Sequence, residues 1–274
     1  MAISAKDVME LRQKSGLGMM ECKQALAETD GDLQKAMDLL RQKGLAKMDS
    51  RSDRTSAEGR VEAAVDADNT KAAIIEVNTE TDFTATNEGF KAMAATVAKE
   101  ALAQPAGEVT KTDAIQQAID AIRLTTKENA QFARGTVLGG SAGKKVGSYV
   151  HFNGKVGAIV EVSLEAGADI STELLREICQ HIVANPITPI GIVEADVPAD
   201  VIEKEKAIAK AQAIEQGKPE QIAEKMVAGK IRKFYEDNTL LLQLFIKDDK
   251  KRIKEILPKG VTITKFARYS VGGK

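Results

Sequence analysis

The chain has 274 residues, enough for two or three domains that each bury a core. With 39 Lys and Arg against 40 Asp and Glu, the net charge is −1, which excludes the broad basic face of a nucleic-acid binder and the polybasic patch that holds an anionic membrane. Aromatics are only 4% with no Trp, which argues against a base-stacking platform, and no run of about 18 apolar residues marks a membrane span. The start of the chain carries Asp7 and Glu10 and reads as neither a secretory signal nor a transit peptide. Cys22 and Cys179 lie far apart without paired spacing and read as reduced thiols of a cytosolic protein.

In chain order, Lys6 to Lys14 forms a first helix with apolar Val8 and Leu11, broken by Gly16 and Gly18. Met19 to Glu28 forms a second, with Met19, Cys22, Ala25 and Leu26 at helical spacing. Of the adjacent Met19 and Met20, one is expected in the bundle core and the other partly outside. Asp32 caps a third helix through Leu33, Ala36, Met37 and Leu40, ended by Gly44. Residues 1–46 thus read as a small three-helix bundle, and the polar stretch 47–60 as a linker.

The middle of the chain holds an internal repeat with an offset of 85, Val61 matching Val146. At that offset Ile74-Ile75-Glu76-Val77 meets Ile159-Val160-Glu161-Val162, and Phe90, Met93 and Val97 meet Leu175, Ile178 and Ile182. Each copy reads as two short strands around a turn, Ala67 to Thr70 and Phe152 to Lys155, followed by a helix. Between the copies, Thr112 to Arg134 reads as helix with a stripe of Ile115, Ile119 and Ile122, and Gly135 to Lys145 as a Gly-rich loop. Val197 to Phe234 reads as two helices joined at Gln216 to Pro219, a projecting arm with thin stripes of Val201, Ile208, Ala211 and Ile214, then Ile222, Met226, Ile231 and Phe234. The tail reads as a helix from Asp248 to Leu257 and a bulged strand, Val261 to Val271, that completes the sheet of the second copy. The fold class is therefore α+β: subdomain one over 61–145, subdomain two over 146–196 plus 236–274, and the arm over 197–235 inserted in it.

Little here speaks for catalysis. Cys179 and His181 are two apart on a helix and diverge, and a zinc site needs more ligands. The run Gly139 to Lys145 fails the phosphate-loop spacing, because Leu138 stands where the first Gly belongs and Lys145 replaces the magnesium-binding hydroxyl. The chain is read as a binding protein, with neither cofactor nor metal.

One asymmetry stands out. After the shared strand, copy one continues Asn78-Thr79-Glu80-Thr81-Asp82-Phe83-Thr84, where copy two has Ser163-Leu164-Glu165-Ala166-Gly167-Ala168. A Phe beside an acid in a polar connection either folds back onto its own core or anchors a partner; the residues alone leave both open.

Glu76-Val77-Asn78 with Thr81-Asp82-Phe83 resembles the elongation factor Ts family. So do Leu11-Arg12 with Gly16, Gly18-Met19-Met20, Cys22-Lys23 and Ala25-Leu26; Gly147-Ser148-Tyr149 with His151; and Gly217-Lys218-Pro219 through Met226-Val227. These blocks span nearly the whole chain in the family's order. Departures are Glu21 where the family often has Asp, Thr84 where it often has Val, and Lys127 and Ala130 where Gly and Ile are usual.

The resemblance implies a non-enzymatic guanine nucleotide exchange factor for elongation factor Tu, cytoplasmic, with a ubiquitin-associated-like N-terminal bundle. It implies that Leu11, Arg12, Met19 and Met20 dock on the partner's nucleotide-binding domain. Thr81, Asp82, Phe83 and Thr84 would carry the wedge near the partner's magnesium site. His151 would contact another domain of the partner, along with the arm. The oligomeric state stays open between a homodimer and a two-plus-two complex. Two other readings compete: a ubiquitin-type adaptor, which a pull-down separates by what it retains, and a small-molecule enzyme, which lacks a nucleophile, base or metal cluster.

Overall fold

The computed structural model describes residues 3–49, 54–217 and 219–273. Helices α1 (Ala5–Ser15), α2 (Met19–Glu28) and α3 (Leu33–Asp49) form the N-terminal bundle. Its core is Val8, Leu11, Cys22, Ala25, Leu26, Ala36 and Leu40. Each end has a local cause. Ser4 accepts the Asp7 amide at 3.1 Å, Gly16 closes α1 at φ +68, and Asp32 Oδ1 accepts the Gln34 and Lys35 amides at 3.0 Å each. Met19 and Met20 are both exposed, 48% and 75%, so neither enters the core. Cys22, Ala25 and Leu26 fill the inward face of α2, and both Met lie in its first turn, off that face.

The polar stretch 47–60 is ordered at both ends: α3 runs to Asp49 and β1 begins at Glu58. Residues 50–53 of that stretch, and Lys218 of the expected arm turn, lie outside the described residues.

Strands β1 (Glu58–Val65) and β2 (Lys71–Thr79), then short α4 (Asp82–Thr86) and α5 (Glu88–Leu102), make the first repeat. A two-residue β3 (Gly107–Glu108), α6 (Asp113–Thr126) and β4 (Gln131–Gly139) complete it as an antiparallel sheet of order β1-β2-β4-β3. The second repeat is β5 (Lys144–Val150), β6 (Val156–Leu164) and α7 (Thr172–Ala184). Its third strand arrives after α8 (Ala199–Glu215), α9 (Glu220–Asn238), the hairpin β7 (Leu244–Phe245) and β8 (Asp248–Arg252), and α10 (Ile253–Ile256): β9 (Val261–Ser270) pairs with β6.

The repeat holds at the level of register. Ala73 faces Ala64 and Ile74 faces Ala63 in the first sheet; Ala158 faces Tyr149 and Ile159 faces Ser148, the same pairs at offset 85, in the second. Both sheets carry a bulge at the same place, between Glu76 and Val77 and between Glu161 and Val162. The layers run α5 and α6, first sheet, second sheet, α7. Ala73, Ile75 and Val77 pack on α5 and α6, while Ala158, Val160 and Val162 pack on α7. Between the sheets lie Val61, Ala72, Ile74, Leu138, Val146 and Ile159. The two central strands are buried on both faces, which explains their near-continuous apolar runs.

Three expected helices are corrected, the first at its end: α3 does not stop at Gly44 but runs through it to Asp49. The stretch 127–134 does not continue α6: Lys127 takes the left-handed conformation at φ 60, and Gln131–Gly139 turns into a strand beside β2. Of the expected Gly-rich loop, 135–139 belong to β4 and 144–145 to β5, so only 140–143 remain outside the sheets. No Gly or Pro marks this helix end, and the pairing that makes the strand comes from a distant segment. Likewise Asp248–Arg252 is the second strand of a hairpin, not the start of a helix; pairing with Leu244 and Phe245 overrides the helix propensity of its charged residues.

The bundle rests on the last turn of α6. A Cβ at Gly44 would lie 2.2 Å from Leu124 Cδ2, so a larger residue there would push the Leu124 side chain aside, and Lys127 Nζ lies 3.9 Å from Glu21. In the arm, α8 and α9 meet through Ile202, Ala209, Ala213 and Ala223. Of the expected stripes, Met226, Ile231 and Phe234 are half-buried, but Ile208, Ile214 and Ile222 face solvent. Three of the four buried positions are Ala.

Candidate functional site

The connection after β2 is built from hydroxyl groups around one carboxylate. Thr81 caps α4 by accepting the Thr84 amide at 3.3 Å, and Thr84 and Ala85 form the buried face of the helix. Glu128, just past α6, reaches under this segment. Its Oε2 accepts the Thr79 hydroxyl at 2.8 Å and the Thr81 amide at 3.1 Å; its Oε1 accepts the Thr81 hydroxyl at 2.6 Å and the Thr84 hydroxyl at 2.7 Å. Burial pushes the Glu128 carboxyl up, but the hydrogen bonds from Thr81, Thr84 and Thr79 outweigh it and hold the pKa below the usual glutamate value. One residue on, Glu80 Oε1 accepts the Asn129 amide at 2.8 Å and Glu80 Oε2 accepts Arg54 at 3.2 Å.

On this base Asp82 and Phe83 point outward. Phe83 is 83% exposed, so it does not fold back on its own core. Asp82 Oδ1 accepts the Phe83 amide at 2.9 Å and is otherwise solvated. The result is a large apolar side chain next to a carboxylate, held on a short fixed helix.

The other expected residues lie on different elements. Arg12, Met19 and Met20 are exposed on α1 and α2, whereas Leu11 is fully buried in the bundle core and presents no surface. His151 sits at the β5–β6 turn, half-buried, with Nδ1 3.0 Å from the Tyr149 hydroxyl and its ring 4.5 Å from Phe152. Sequence reasoning missed Phe152, 88% exposed, though an aromatic in a hairpin turn carries the same signal as Phe83. It also missed exposed Met9 and, above all, Glu128, which nothing in the linear pattern connects to Thr79 or Thr84.

The titratable groups elsewhere are structural. His181 is fully buried, with Nε2 2.9 Å from Gln243 Oε1 and Nδ1 accepting the Ile246 amide at 3.3 Å. Burial pushes the Cys179 thiol far up, so it is inert as a nucleophile. Among the described residues no group of three or more His, Cys, Asp or Glu could hold a metal ion, and no helix is long and apolar enough to cross a membrane.

Fold and surface together define a two-repeat α+β protein that presents separate exposed apolar contacts on a bundle, a short helix and a hairpin turn. The model of the family "Elongation factor TS" matches residues 80–273. Elongation factor Ts of Prosthecochloris aestuarii is 40% identical, over 98% of this chain and 99% of the relative. Those of Alkalilimnicola ehrlichii and Clostridium botulinum are 42% and 40% identical, over 99% and 98% of this chain and 93% of each relative. The chain belongs to the elongation factor Ts family, whose members are translation elongation factors.

Proposed function

We propose that this protein is a guanine nucleotide exchange factor that binds elongation factor Tu in its GDP-bound state, disturbs the magnesium and phosphate site, and leaves the partner nucleotide-free for GTP. The observation that carries this reading is Phe83, 83% exposed beside Asp82 on a five-residue helix. Magnesium in such a partner bridges phosphate and protein oxygens in a strict octahedral geometry, so a small displacement of its ligands weakens the hold on GDP. An aromatic anchor supplies the energy for that displacement at a low ordering cost. Arg12, Met19 and Met20 of the bundle, His151 with Phe152, and the arm act as further docking points. The protein makes and breaks no covalent bond and needs no cofactor of its own. It works in the cytoplasm by thermodynamic coupling: whatever factor it takes from GDP affinity, GDP takes from its own affinity for the partner.

The test is the dissociation rate of a fluorescent GDP analogue from elongation factor Tu in magnesium. Wild type accelerates release in a concentration-dependent way. Phe83→Ala loses on the order of 30-fold of that acceleration, equivalent to about 2 kcal/mol of anchor energy. Unchanged kinetics in Phe83→Ala with an intact fold would remove the wedge, and no acceleration by the wild type would remove the exchange function.

A further inference from the structure

We propose that Glu128 is the positioning residue of the exchange segment: it holds Asp82 and Phe83 in their projecting conformation before any partner arrives. This rests on the exchange reading above.

Helix α4 has five residues, far below the length at which a helix persists by itself. Phe83 contributes nothing to holding it, because its side chain lies in solvent. What holds the segment is buried Thr84 and Ala85 below and the Glu128 carboxylate beside them. All four donors to that carboxylate come from residues 79–84: three hydroxyls and one amide, between 2.6 and 3.1 Å. A single charged group thereby fixes both the N-cap residue of α4 and the residue after Phe83. Charge-assisted hydrogen bonds of this kind are about twice as strong as neutral ones. The carboxylate sits at the end of α6, which is anchored in the core of the first subdomain through Ile115, Ile119 and Ile122. Phe83 is thus referenced to the rigid sheet-and-helix body. The ordering entropy of the wedge is already spent on folding, and the partner meets a preformed anchor.

The experiment measures GDP-analogue release from elongation factor Tu with Glu128→Ala, Glu128→Gln and Thr84→Val, each alone and combined with Phe83→Ala. If loss of the clamp cuts the projecting population to about one tenth, Glu128→Ala slows exchange about tenfold. Glu128→Gln keeps one carbonyl acceptor and offers an amide to the hydroxyls, so it recovers most of the rate. Thr84→Val loses one bond of four and falls between. In the Phe83→Ala background Glu128→Ala adds no further slowing, because there is no anchor left to position. A second readout uses the absence of Trp from the chain: in Phe83→Trp the sole indole reports the segment, and adding Glu128→Ala lowers its fluorescence anisotropy while the thermal transition of the body persists. Full exchange by Glu128→Ala, the same slowing factor with and without Phe83, or unchanged anisotropy would overturn the proposal. If Phe83→Ala itself exchanges normally, the wedge reading fails, and the anisotropy still decides whether Glu128 holds the segment.

Discussion

Glu76 and Glu161 occupy the same position in the two repeats, and each buried carboxylate accepts a backbone amide from the opposite sheet. Glu161 Oε2 takes the Gly139 amide at 2.7 Å; Glu76 Oε1 takes the Gly272 amide, just past β9, at 2.8 Å. The exchange is reciprocal elsewhere too: the Val61 amide donates to Gly154 and the Val146 amide to Asn69, both at 2.8 Å. The two sheets are joined by matched polar pairs around an apolar centre, so the interface has approximate two-fold symmetry although one chain makes both halves.

Glu161 also accepts Lys144 at 2.9 Å and the Thr264 hydroxyl at 2.6 Å. Glu161→Ala removes the carboxylate from three donors and leaves the buried Gly139 amide without it, while Lys144 and Thr264 keep weaker bonds at 3.2 Å to Thr264 Oγ1 and 3.3 Å to the Glu161 carbonyl. Breaking a buried ion pair from one side costs about 3–5 kcal/mol, and the thermal midpoint should fall by roughly 10 °C. A shift under about 2 °C in a circular-dichroism melt would show that the network contributes little to stability.

His181 sets an acid limit. Burial lowers its pKa below the ordinary 6.5, although the hydrogen bond to Gln243 opposes this. The unfolded chain therefore takes up the proton first. Stability from the neutral imidazole is fully present above pH 6.5 and declines as the pH falls towards the folded-state value. The chain has only two His, so both ring resonances can be followed by NMR. A His181 that titrates at or above 6.5 contradicts the buried neutral state.

The arm makes opposite demands on neighbouring residues. Ala213 is fully buried between α8 and α9, and Ile214 is 63% exposed. Ala213→Leu overpacks the contact and costs about 1–3 kcal/mol, seen as faster amide hydrogen exchange along both helices. Ile214→Ser stays within about 0.5 kcal/mol of wild type. Equal effects from the two would mean that the helices pack through another face.

Leu11 and Met20 separate in the same manner. Leu11→Ala opens a cavity in the bundle and destabilises it by about 2–5 kcal/mol. Met20→Ala leaves the bundle's melting unchanged and weakens its hold on elongation factor Tu. Titration calorimetry beside thermal unfolding checks both, and a Met20→Ala variant with full affinity would take the first turn of α2 out of the contact.

Lys127 carries backbone strain at the end of α6. A left-handed conformation costs a non-glycine residue about 1–2 kcal/mol, and its ion pair with Glu21, 3.9 Å apart on the surface, returns little. Lys127→Gly should stabilise the fold by up to about 1 kcal/mol, less the added freedom of the unfolded chain. A lower melting temperature in this variant would show that the Lys side chain matters more than its backbone.

Much of this architecture was readable from local pattern. The offset of 85 between the repeats predicted two strand-turn-strand-helix units, because hairpin residues and apolar spacing act over a few positions. The same logic placed the bundle, the arm hairpin and the bulge in β9. It failed at β4, a strand by virtue of a distant partner, β2, and at β8, where a tight hairpin with β7 overrides the helical reading of its charged residues. It also failed in part on the arm, where Ile208, Ile214 and Ile222 were taken for the contact but face solvent, and Ala209, Ala213 and Ala223 are buried.

The candidate site divides along the same line. The odd Phe83 beside Asp82 was visible in the sequence as a break in the repeat, and its two fates were equal there. Only the tertiary structure put it in solvent and disclosed what holds it, since Glu128 and Thr84 are joined across 44 positions by hydrogen bonds. Periodicity and turn chemistry are properties of neighbours in sequence and can be read from it. Which carboxylate a distant hydroxyl meets, and which face of a helix finds a partner, follow from packing of the whole chain, and the linear pattern carries no mark of them.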